Sequence, residues 1–444
     1  MNLSQALQIQ PGEVVALVGG GGKSGAMFRL GRELALAGKR VLLTTTTRLA
    51  AGQTGLGPAL VIFDPAAQSL ADILPPLRAA LDHHQQVLLT GPIDHSLGKT
   101  LGAPPELIEA LAQSGLFEVI IAEADGAKKR PFKAPAAHEP VIPRCTSLVV
   151  PVVGLDVLGQ PLNETHVHRA EQVSRLSETP LGKPVTVETI ARVLGHSAGG
   201  LKGAPPSAQV KPLLNKLELA AEAEAQTLAR LLLQNRRIQA VGVGSIEAEE
   251  GIAWVENRAA AIILAAGQAS RFGSPKQLAL WQGKPLLAHV VDAALASQAE
   301  RVIVVLGANA EACQTVLTGR PVEIVLNRNW AAGQSASLKA GLAALPDEVS
   351  AAIFLLADQP FITPEVINAV MAGYRQTLAP VVWPEFEGKR GNPVLFDRAL
   401  FAEMNQVTGD VGARPVLMAH QAQAKIVPVA EAGILRDIDR PDDL

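Results

Sequence analysis

Short and almost wholly apolar segments recur along the chain, and most of them run directly into a loop containing glycine, threonine, asparagine or aspartate. Longer stretches rich in alanine and leucine separate these segments. The segments lie at residues 14–19, 40–47, 86–92, 117–126, 147–156, 211–215, 239–245, 259–267, 301–307, 322–327, 351–360 and 379–385. Strands buried on both faces read as continuous apolar runs. The pattern therefore predicts the α/β class, with helices covering both faces of parallel sheets.

The number of domains follows from chain length and from one break in the alternation. A chain of 444 residues exceeds the size at which a single hydrophobic core keeps growing. The segment IEAEEGIAWVENR at 246–258 interrupts the pattern, and a new apolar strand begins at Ala259. We therefore expect two doubly wound domains, at residues 1–250 and 259–444. In such sheets ligands bind beyond the carboxyl ends of the strands.

Charge and cysteine content narrow the classes of partner. Lys and Arg total 39 against 42 Asp and Glu, so the chain lacks the basic excess with which proteins replace the counterions of nucleic acid. Two cysteines, Cys145 and Cys313, are too few for a disulfide framework or a four-thiolate zinc site. The start of the chain lacks a signal pattern, and no apolar run approaches about 18 residues. We expect a cytoplasmic protein that binds small molecules, not nucleic acid or membrane.

A loop of small residues follows the first strand of the second half. The sequence LAAGQASRFGSPK at 264–276 combines a backbone that can approach phosphate closely with two cationic side chains, Arg271 and Lys276. The loop alone would equally fit a structural turn between a strand and a helix. With both cations it predicts a nucleotide-binding segment, whose residues are Leu264, Ala265, Ala266, Gly267, Arg271 and Lys276.

An acidic residue ends another apolar strand of this half. Asp358 follows the run AAIFLLA, so its carboxylate should emerge at the carboxyl edge of the sheet. A hard cation such as Mg²⁺ prefers carboxylate oxygens and can be held there against phosphate. An aspartate at a strand end near a proline can also serve only to form a turn.

Several further motifs occur in a fixed order after this loop. They are GKPLL at 283–287, NWAAGQSASLK at 329–339, LADQP at 356–360, GNPVLF at 391–396, GDVGARPVL at 409–417 and DIDRPDDL at 437–444. Together they resemble the MobA-like nucleotidyltransferases of molybdenum cofactor biosynthesis across nearly all of 259–444. The resemblance implies a Rossmann-like fold of the nucleotide-diphospho-sugar transferase type.

The same resemblance implies site residues and a reaction. Lys276, Arg271 and Asp358 would be catalytic, Asp358 and Asp439 would hold Mg²⁺, and Asp437 is a weaker metal candidate. The family usually has threonine where this chain has Arg440. The pterin would lie toward Ser337, Asn392 and Asp410, although each of these could instead be a hydrogen-bonding loop cap.

The implied reaction is attack by a terminal phosphate oxygen of the molybdopterin-type molybdenum cofactor on the α-phosphate of CTP, with release of pyrophosphate. CTP is favoured because the LAAG sequence resembles the CTP-using members, whereas GTP-using relatives commonly carry LAGG. Two alternatives stay open. The enzyme could use GTP or another phosphorylated metabolite, since this fold serves many acceptors. The protein could also be a non-enzymatic chaperone of the cofactor.

A glycine-rich loop also follows the first strand of the first half. The sequence VGGGGKS at 18–24 stands between a strand and a helical stretch, where backbone amides can face phosphate. A strict P-loop has glycine where this chain has Leu17, so a merely flexible loop is the alternative. We expect a P-loop-like domain of NTPase type that binds ATP or GTP through Gly20, Gly21, Gly22, Lys23, Ser24 and Asp125. Glu123 lies two residues before Asp125 on the same strand face.

Four segments of the first half carry a second resemblance. VGGGGKS, LLTTTT, EADGAKKRPFKAPAAHEPVIP and VVPVVGLDVLG resemble the YqeC-type accessory proteins associated with selenium-dependent molybdenum hydroxylases. The likeness spans roughly the first 245 residues and implies a nucleotide-binding accessory role. It also implies that a molybdenum hydroxylase of the xanthine dehydrogenase type receives the product. His138, His166 and His168 lack the spacing of metal ligands and are expected to be loop or core residues.

Overall fold

The computed structural model describes residues 1–268, 272 and 275–444. The chain divides into two compact units, Met1–Glu256 and Asn257–Leu444. Arg271, which the sequence places in the nucleotide site, lies outside the described residues. Across those residues, no helix has the length and apolar character needed to cross a membrane.

The first unit alternates strands and helices. Its strands are β1 (Glu13–Gly19), β2 (Val41–Thr45), β3 (Leu49–Ala50), β4 (Leu60–Ile62), β5 (Gln86–Thr90), β6 (Ile93–Asp94), β7 (Lys99–Thr100), β8 (Val119–Glu123), β9 (Phe132–Lys133), β10 (Leu148–Gly154), β11 (Val167–His168), β12 (Gln209–Val210), β13 (Leu213–Asn215), β14 (Ala240–Gly244) and β15 (Ile252–Asn257). Its helices are α1 (Leu3–Leu7), α2 (Lys23–Leu36), α3 (Leu70–His84), α4 (Pro105–Gln113), α5 (Ala170–Ser177), α6 (Val187–Leu194) and α7 (Glu222–Leu233). Short 3-10 turns lie at Ala51–Leu56, Leu155–Val157 and Leu217–Leu219.

The main sheet of this unit has the strand order β15-β14-β13-β10-β1-β8-β2-β5-β4. β1 is parallel to β10 on one side and to β8 on the other. The chain therefore reverses its winding direction at β1, and the carboxyl ends of β1, β8 and β10 meet at this switch point. The segment 246–258, which interrupts the apolar alternation in the sequence, contains an edge strand, β15. Val255 and most of the other residues of this strand are buried.

The second unit repeats the alternation. Its strands are β16 (Ala259–Ala265), β17 (Leu280–Trp281), β18 (Lys284–Pro285), β19 (Arg301–Leu306), β20 (Glu323–Leu326), β21 (Ala351–Leu356), β22 (Val381–Phe386), β23 (Lys389–Arg390), β24 (Val394–Asp397) and β25 (Lys425–Pro428). Its helices are α8 (Leu286–Leu295), α9 (Ala310–Leu317), α10 (Gln334–Ala343), α11 (Pro364–Thr377), α12 (Phe401–Met404) and α13 (Arg414–Ala419). Its 3-10 turns lie at Lys276–Leu278, Trp330–Ala332, Arg398–Leu400, Gln421–Gln423, Ala432–Leu435 and Pro441–Asp443.

The main sheet of the second unit is mixed, with the order β20-β19-β16-β21-β24-β22-β23. β16 is parallel to β19 and to β21, whereas β24 runs antiparallel to both β21 and β22. The predicted α/β class is confirmed in both units. The antiparallel strand was not predicted, and it is formed by the last residues of the GNPVLF motif and the aspartate after them.

The pattern of burial explains why the strands read as continuous apolar runs. In β16, Ala261 and Ile263 pack into one hydrophobic core, and Ile262 between them packs into the core on the opposite face. The sheet of the first unit is likewise buried on both faces: in β1, Val14 and Ala16 pack into cores on one face, and Val15 and Leu17, on the opposite face, are completely buried. Each sheet is thus covered on both sides, as parallel strands require.

Candidate functional site

A cavity of about 550 Å³ opens at the carboxyl ends of β16 and β21 in the second unit. We call it the first cavity. Predicted site residues that line it are Leu264, Ala265, Ala266, Gly267, Lys276, Ser337, Asp358 and Asp410. The structure therefore brings together the small-residue loop, the lysine that follows it and the strand-terminal aspartate.

Lys276 joins two acidic segments beside this cavity. Its ammonium donates to Asp358 Oδ2 at 2.8 Å and to Asp439 Oδ1 at 2.7 Å. Burial works to lower the pKa of Lys276, but the hydrogen bonds to the two carboxylates outweigh it and raise the pKa above its usual value. Lys276 therefore stays charged at neutral pH, and the two carboxylates converge on one point.

Asp439 reaches this position because the preceding residue is anchored. Ile438 is fully buried and packs with Phe272 and Leu286. Its backbone N–H donates to Asp358 O at 3.0 Å. The DIDRPDDL motif is therefore tied to the end of β21 by an apolar contact and a main-chain hydrogen bond.

Asp437, the weaker metal candidate, is engaged differently. Its carboxylate accepts a hydrogen bond from Gln359 Nε2. Burial raises the pKa of Asp437, and the negative charges of Asp358 and Asp439 raise it further, against the lowering effect of Gln359. The structure thus places Asp439, rather than Asp437, on the Lys276 ammonium.

Gln277 is a site residue that the sequence analysis did not identify. Its Nε2 donates to Ala265 O at 3.2 Å and to Gly267 O at 2.7 Å, which fixes the backbone of the small-residue loop. Its Oε1 is buried, and no described residue satisfies it. The same is true of Asp358 Oδ1. Both residues line the first cavity, so its wall includes two residues with buried acceptors for which no described residue provides a donor.

Ser337 and Asp410 have structural contacts as well as a place in the cavity wall. Asn327 Nδ2 donates to Ser337 Oγ at 3.0 Å in a buried pair. Asp410 Oδ1 accepts from the N–H of Gln334, the first residue of α10, at 3.0 Å. Asp410 therefore joins the GDVGARPVL motif to the start of this helix.

A second cavity, of about 400 Å³, adjoins the first. Asn392 and Asp410 line it, together with Arg390 and Arg414. Four residues line both cavities, namely Leu264, Gln334, Leu356 and Asp410. The three predicted pterin-binding residues are thus divided between two adjoining spaces, with Ser337 in the first, Asn392 in the second and Asp410 in both.

In the first unit the glycine-rich loop lies at the switch point between β1, β8 and β10. The N–H of Gly19 donates to both oxygens of Asp125 at 3.1 Å. Gly20 N–H donates to Val152 O at 2.9 Å, and Gly21 N–H donates to Arg130 O at 3.0 Å. In this conformation three loop amides are bonded within the protein.

The loop also packs too closely for side chains. A Cβ placed on Gly21 would lie 2.0 Å from Gly154 N, and Gly21 has a φ of +74°. A Cβ on Gly22 would meet the Asn215 side chain at 2.5 Å. Two loop glycines are therefore required by contacts with neighbouring segments, independently of any ligand.

Lys23 and Ser24 contact the predicted acidic residues directly. Lys23 Nζ donates to Gly19 O at 2.6 Å and lies 3.3 Å from Asp125 Oδ1. Ser24 Oγ donates to Glu123 Oε2 at 2.7 Å. Burial raises the pKa of Glu123 above its usual value, against the lowering effects of Lys23 and Ser24. The structure brings all of these predicted residues together.

An ion-pair network behind this loop was not predicted from the sequence. Lys133 is almost completely buried and lies 2.9 Å from Asp125 Oδ2 and 2.7 Å from Glu139 Oε2. Arg169 also contacts Glu139, at 2.7 Å. Burial works to raise the pKa of Glu139, but Arg169 and Lys133 lower it to about 2. The only sequence signal was the basic run that precedes Lys133.

Asn215 connects the glycine-rich loop to the end of β14. Its Nδ2 donates to Gly21 O at 2.7 Å, and its Oδ1 accepts from the N–H of Ile246 at 2.9 Å. The adjacent Lys216 pairs with Asp156 at 2.7 Å. Asn215 thus holds the loop in place.

The histidines do not form a metal centre in the part of the chain that the structure describes. No group of three or more His, Cys, Asp or Glu residues there could hold a metal ion. His168 is buried, and burial together with the charges of Arg169 and Lys133 lowers its pKa to about 4. It is therefore neutral at physiological pH.

In comparisons with known proteins, the two units match two different protein families. The YqeC protein model matches residues 15–171, and the model of the MobA-like NTP transferase domain matches residues 261–424. The YqeC protein of Escherichia coli is 30% identical over 240 residues, which cover 54% of this chain and 90% of that protein.

Two further matches concern the second unit. Nicotine blue oxidoreductase of Paenarthrobacter nicotinovorans is 27% identical over 190 residues, which cover 41% of this chain and 93% of that protein. The solved structure of a nucleotidyl transferase from Methanothermobacter thermautotroptrophicus has 21% identity and a TM-score of 0.38, and covers 42% of this chain and 94% of that one. The chain belongs to the YqeC family through its first unit, and it joins that unit to a MobA-like NTP transferase domain.

Proposed function

We propose that the second unit transfers CMP from CTP to a terminal phosphate oxygen of the molybdenum cofactor and releases pyrophosphate. The observation that carries this proposal is the convergence of Lys276, Asp358 and Asp439 beside the first cavity. The match to the MobA-like NTP transferase model supports nucleotidyl transfer. The choice of CTP is supported by the LAAG sequence at 264–267.

A magnesium ion fits the residues of this site. Asp358 Oδ1 is buried and has no partner among the described residues, so it is available as a ligand. Asp358 and Asp439 would hold the ion, since Mg²⁺ commonly takes one or two protein carboxylates and completes its shell with phosphates and water. When bound, the ion supplies positive charge against the triphosphate.

The reaction needs no protein nucleophile and no general base, because the attacking phosphate oxygen is already ionised. That oxygen forms a bond to the α-phosphorus, the bond from the α-phosphorus to the bridging oxygen breaks, and pyrophosphate leaves with the electron pair. The work left to the protein is to position two anions and to offset their repulsion. Lys276 supplies a permanently charged ammonium at the cavity wall. Gln277 holds the loop whose amides approach the phosphates.

The direct test is pyrophosphate release by the full-length protein with Mg²⁺ and molybdenum cofactor, comparing CTP, GTP, ATP and UTP. A strong preference for CTP is the expected result. Preference for GTP would overturn the choice of nucleotide but keep the transfer reaction. Absence of release with all four nucleotides would contradict the enzyme proposal and favour the chaperone or another acceptor.

For the first unit we propose a nucleotide-binding accessory role, with ATP or GTP as ligand and a xanthine dehydrogenase-type hydroxylase as recipient of the product. The support is the position of Lys23 and Ser24 beside Glu123 and Asp125 at the switch point of the sheet. Since the amides of Gly19, Gly20 and Gly21 are bonded within the protein, the nucleotide would have to replace these bonds. The proposed partner would be tested by adding full-length protein that carries the reaction product to a cofactor-free hydroxylase and measuring whether the hydroxylase becomes active.

A further inference from the structure

The two cavities of the second unit differ in charge. The described charged residues of the first cavity are Lys276, Asp358 and Asp410, and the only ammonium among them is already shared between two carboxylates. Those of the second cavity are Asp410, Arg390 and Arg414. Among the residues that the structure describes, the cationic excess therefore lies in the second cavity.

The two arginines of the second cavity differ from Lys276 in their surroundings. Among the residues that the structure describes, no carboxylate lies within ion-pair distance of either guanidinium. Arg390 lies over the ring of Trp383, with its Cζ 6.0 Å from the ring centroid. A cation–π contact of this kind uses the face of the ring and none of the guanidinium's hydrogen-bond donors.

The remaining wall of the second cavity suits a flat ring. Phe354 and Phe396 meet edge to face with centroids 5.9 Å apart, and both line the cavity. Leu338, Val394 and Leu417 extend this apolar surface. Asn392 adds an amide that can pair with ring heteroatoms. Apolar walls with a few polar groups are typical of small-molecule sites.

Resting on the function proposed above, we propose that the second cavity binds the acceptor and that Arg390 and Arg414 bind its phosphate group. A phosphate monoester that approaches a triphosphate meets strong repulsion, which falls with nearby positive charge. Lys276 supplies positive charge beside the first cavity, where Asp358 and Asp439 hold it, and the arginines supply it in the second cavity, where the acceptor phosphate would lie. Guanidinium groups suit it because they donate two parallel N–H bonds to phosphate oxygens.

The proposal is tested with two intrinsically fluorescent probes that differ only in the phosphate, 6-hydroxymethylpterin and its phosphate ester. The full-length protein should bind the ester at least tenfold more tightly. Arg390→Ala and Arg414→Ala should each remove most of this preference, and the corresponding lysine variants should restore part of it. Lys389→Ala is the matched control, because Lys389 is the neighbouring cation on β23 and does not line the cavity. Its preference should match that of the wild type.

Two outcomes of the measurements with the pterin probes would overturn the proposal. One is equal affinity of the wild type for both probes, or binding of neither. The other is a preference for the ester that survives in both alanine variants. Calorimetry with CTP shows whether the arginines bind the phosphate of the acceptor or those of the nucleotide. If they bind the acceptor, the arginine variants should retain the wild-type affinity for CTP. A tenfold loss of CTP affinity in both variants would instead assign the arginines to the nucleotide.

Pyrophosphate release distinguishes this inference from the proposed function. If the wild type is active and both arginine variants keep an unchanged KM for the cofactor, the inference fails and the function stands. If no nucleotide supports release but the ester preference depends on the arginines, the function fails and the phosphate subsite stands.

Discussion

The ammonium of Lys276 lies 2.8 Å from the carboxylate of Asp358, although 82 residues separate the two along the chain. The same ammonium reaches Asp439, 163 residues away. Three distant segments thus meet at one point: the turn after β16, the end of β21 and the DIDRPDDL motif. Such a convergence of charge at strand ends has little value for packing, which favours a role in binding anions and cations.

Asp358→Asn should reduce pyrophosphate release by at least about a hundredfold, because it removes a charge from a preorganised electrostatic site while keeping the side-chain shape. The fold should be retained, as judged by circular dichroism and thermal unfolding. Asp347→Asn is the control, since Asp347 is an exposed acid that pairs with Arg398. Turnover of Asp358→Asn within threefold of the wild type would contradict the site assignment.

Ile438→Ala should impair the site without touching a charged residue. Large-to-small substitutions at buried positions cost about 2–5 kcal/mol, and here the loss would fall on the segment that carries Asp439. We expect at least a tenfold loss of pyrophosphate release. Hydrogen exchange should also be faster at the Ile438 amide, which donates to Asp358 O.

The control for this variant is Ile426→Ala on β25, where the side chain is partly exposed. This control should change neither pyrophosphate release nor hydrogen exchange at the amide of residue 438. If exchange at residue 438 is unchanged in Ile438→Ala, the apolar contact is not what holds Asp439 in position.

Lys23→Ala should weaken the binding of ATP or GTP to the first unit by at least tenfold, because it removes a cation that would contact phosphate. Isothermal titration calorimetry measures the effect. Since Lys23 is buried, Lys23→Met serves as a second variant that preserves side-chain volume. Lys39→Ala, at a partly exposed pair with Glu118, is the control. Unchanged affinity in both Lys23 variants would remove the case for a phosphate-binding loop.

Glu139→Gln should destabilise the first unit in a manner that depends on pH. Arg169 and Lys133 outweigh burial and hold the pKa of Glu139 at about 2, below its ordinary value of 4.5. Since the folded pKa is depressed, the stabilisation is fully present above pH 4.5 and is lost as the pH falls toward 2. At pH 7 the loss of free energy of unfolding should be about 3 kcal/mol.

Urea denaturation at pH 7 and at pH 3.5 measures this dependence. The difference between wild type and Glu139→Gln should be smaller at the lower pH. Glu178→Gln, in an exposed pair with Arg192, should cost less than about 1 kcal/mol at either pH. A difference for Glu139→Gln that is independent of pH would mean that its ion pairs do not stabilise the fold.

The sequence predicts what depends on local pattern. Apolar runs that end in a glycine loop or an aspartate place their polar residues at the carboxyl edge of a sheet, so the positions of Asp358 and of the loop before Lys276 at that edge could be predicted from the sequence. The position of Asp439 depended on family resemblance, because the motif that carries it has no periodicity of its own. The role of Arg271 in nucleotide binding and catalysis stays a prediction, because this residue lies outside the described residues.

Contacts between distant segments could not be predicted in this way. Gln277 and Lys133 gain their roles from partners on other elements, and even the basic run before Lys133 does not identify those partners. The antiparallel direction of β24 is likewise a property of the whole sheet. The same holds for the loop amides of Gly20 and Gly21, whose acceptors lie more than 100 residues away.

The residues shared by the two cavities bear on what happens after the transfer. Leu264, Gln334, Leu356 and Asp410 line both spaces, so the joined product would extend across them and could retain contacts made by each substrate. Linking two ligands makes the second contact intramolecular and raises its effective concentration. We therefore expect the product to inhibit the enzyme more strongly than pyrophosphate does and its release to limit turnover. A stable bisubstrate analogue that joins CMP to a phosphorylated pterin should bind more tightly than either half.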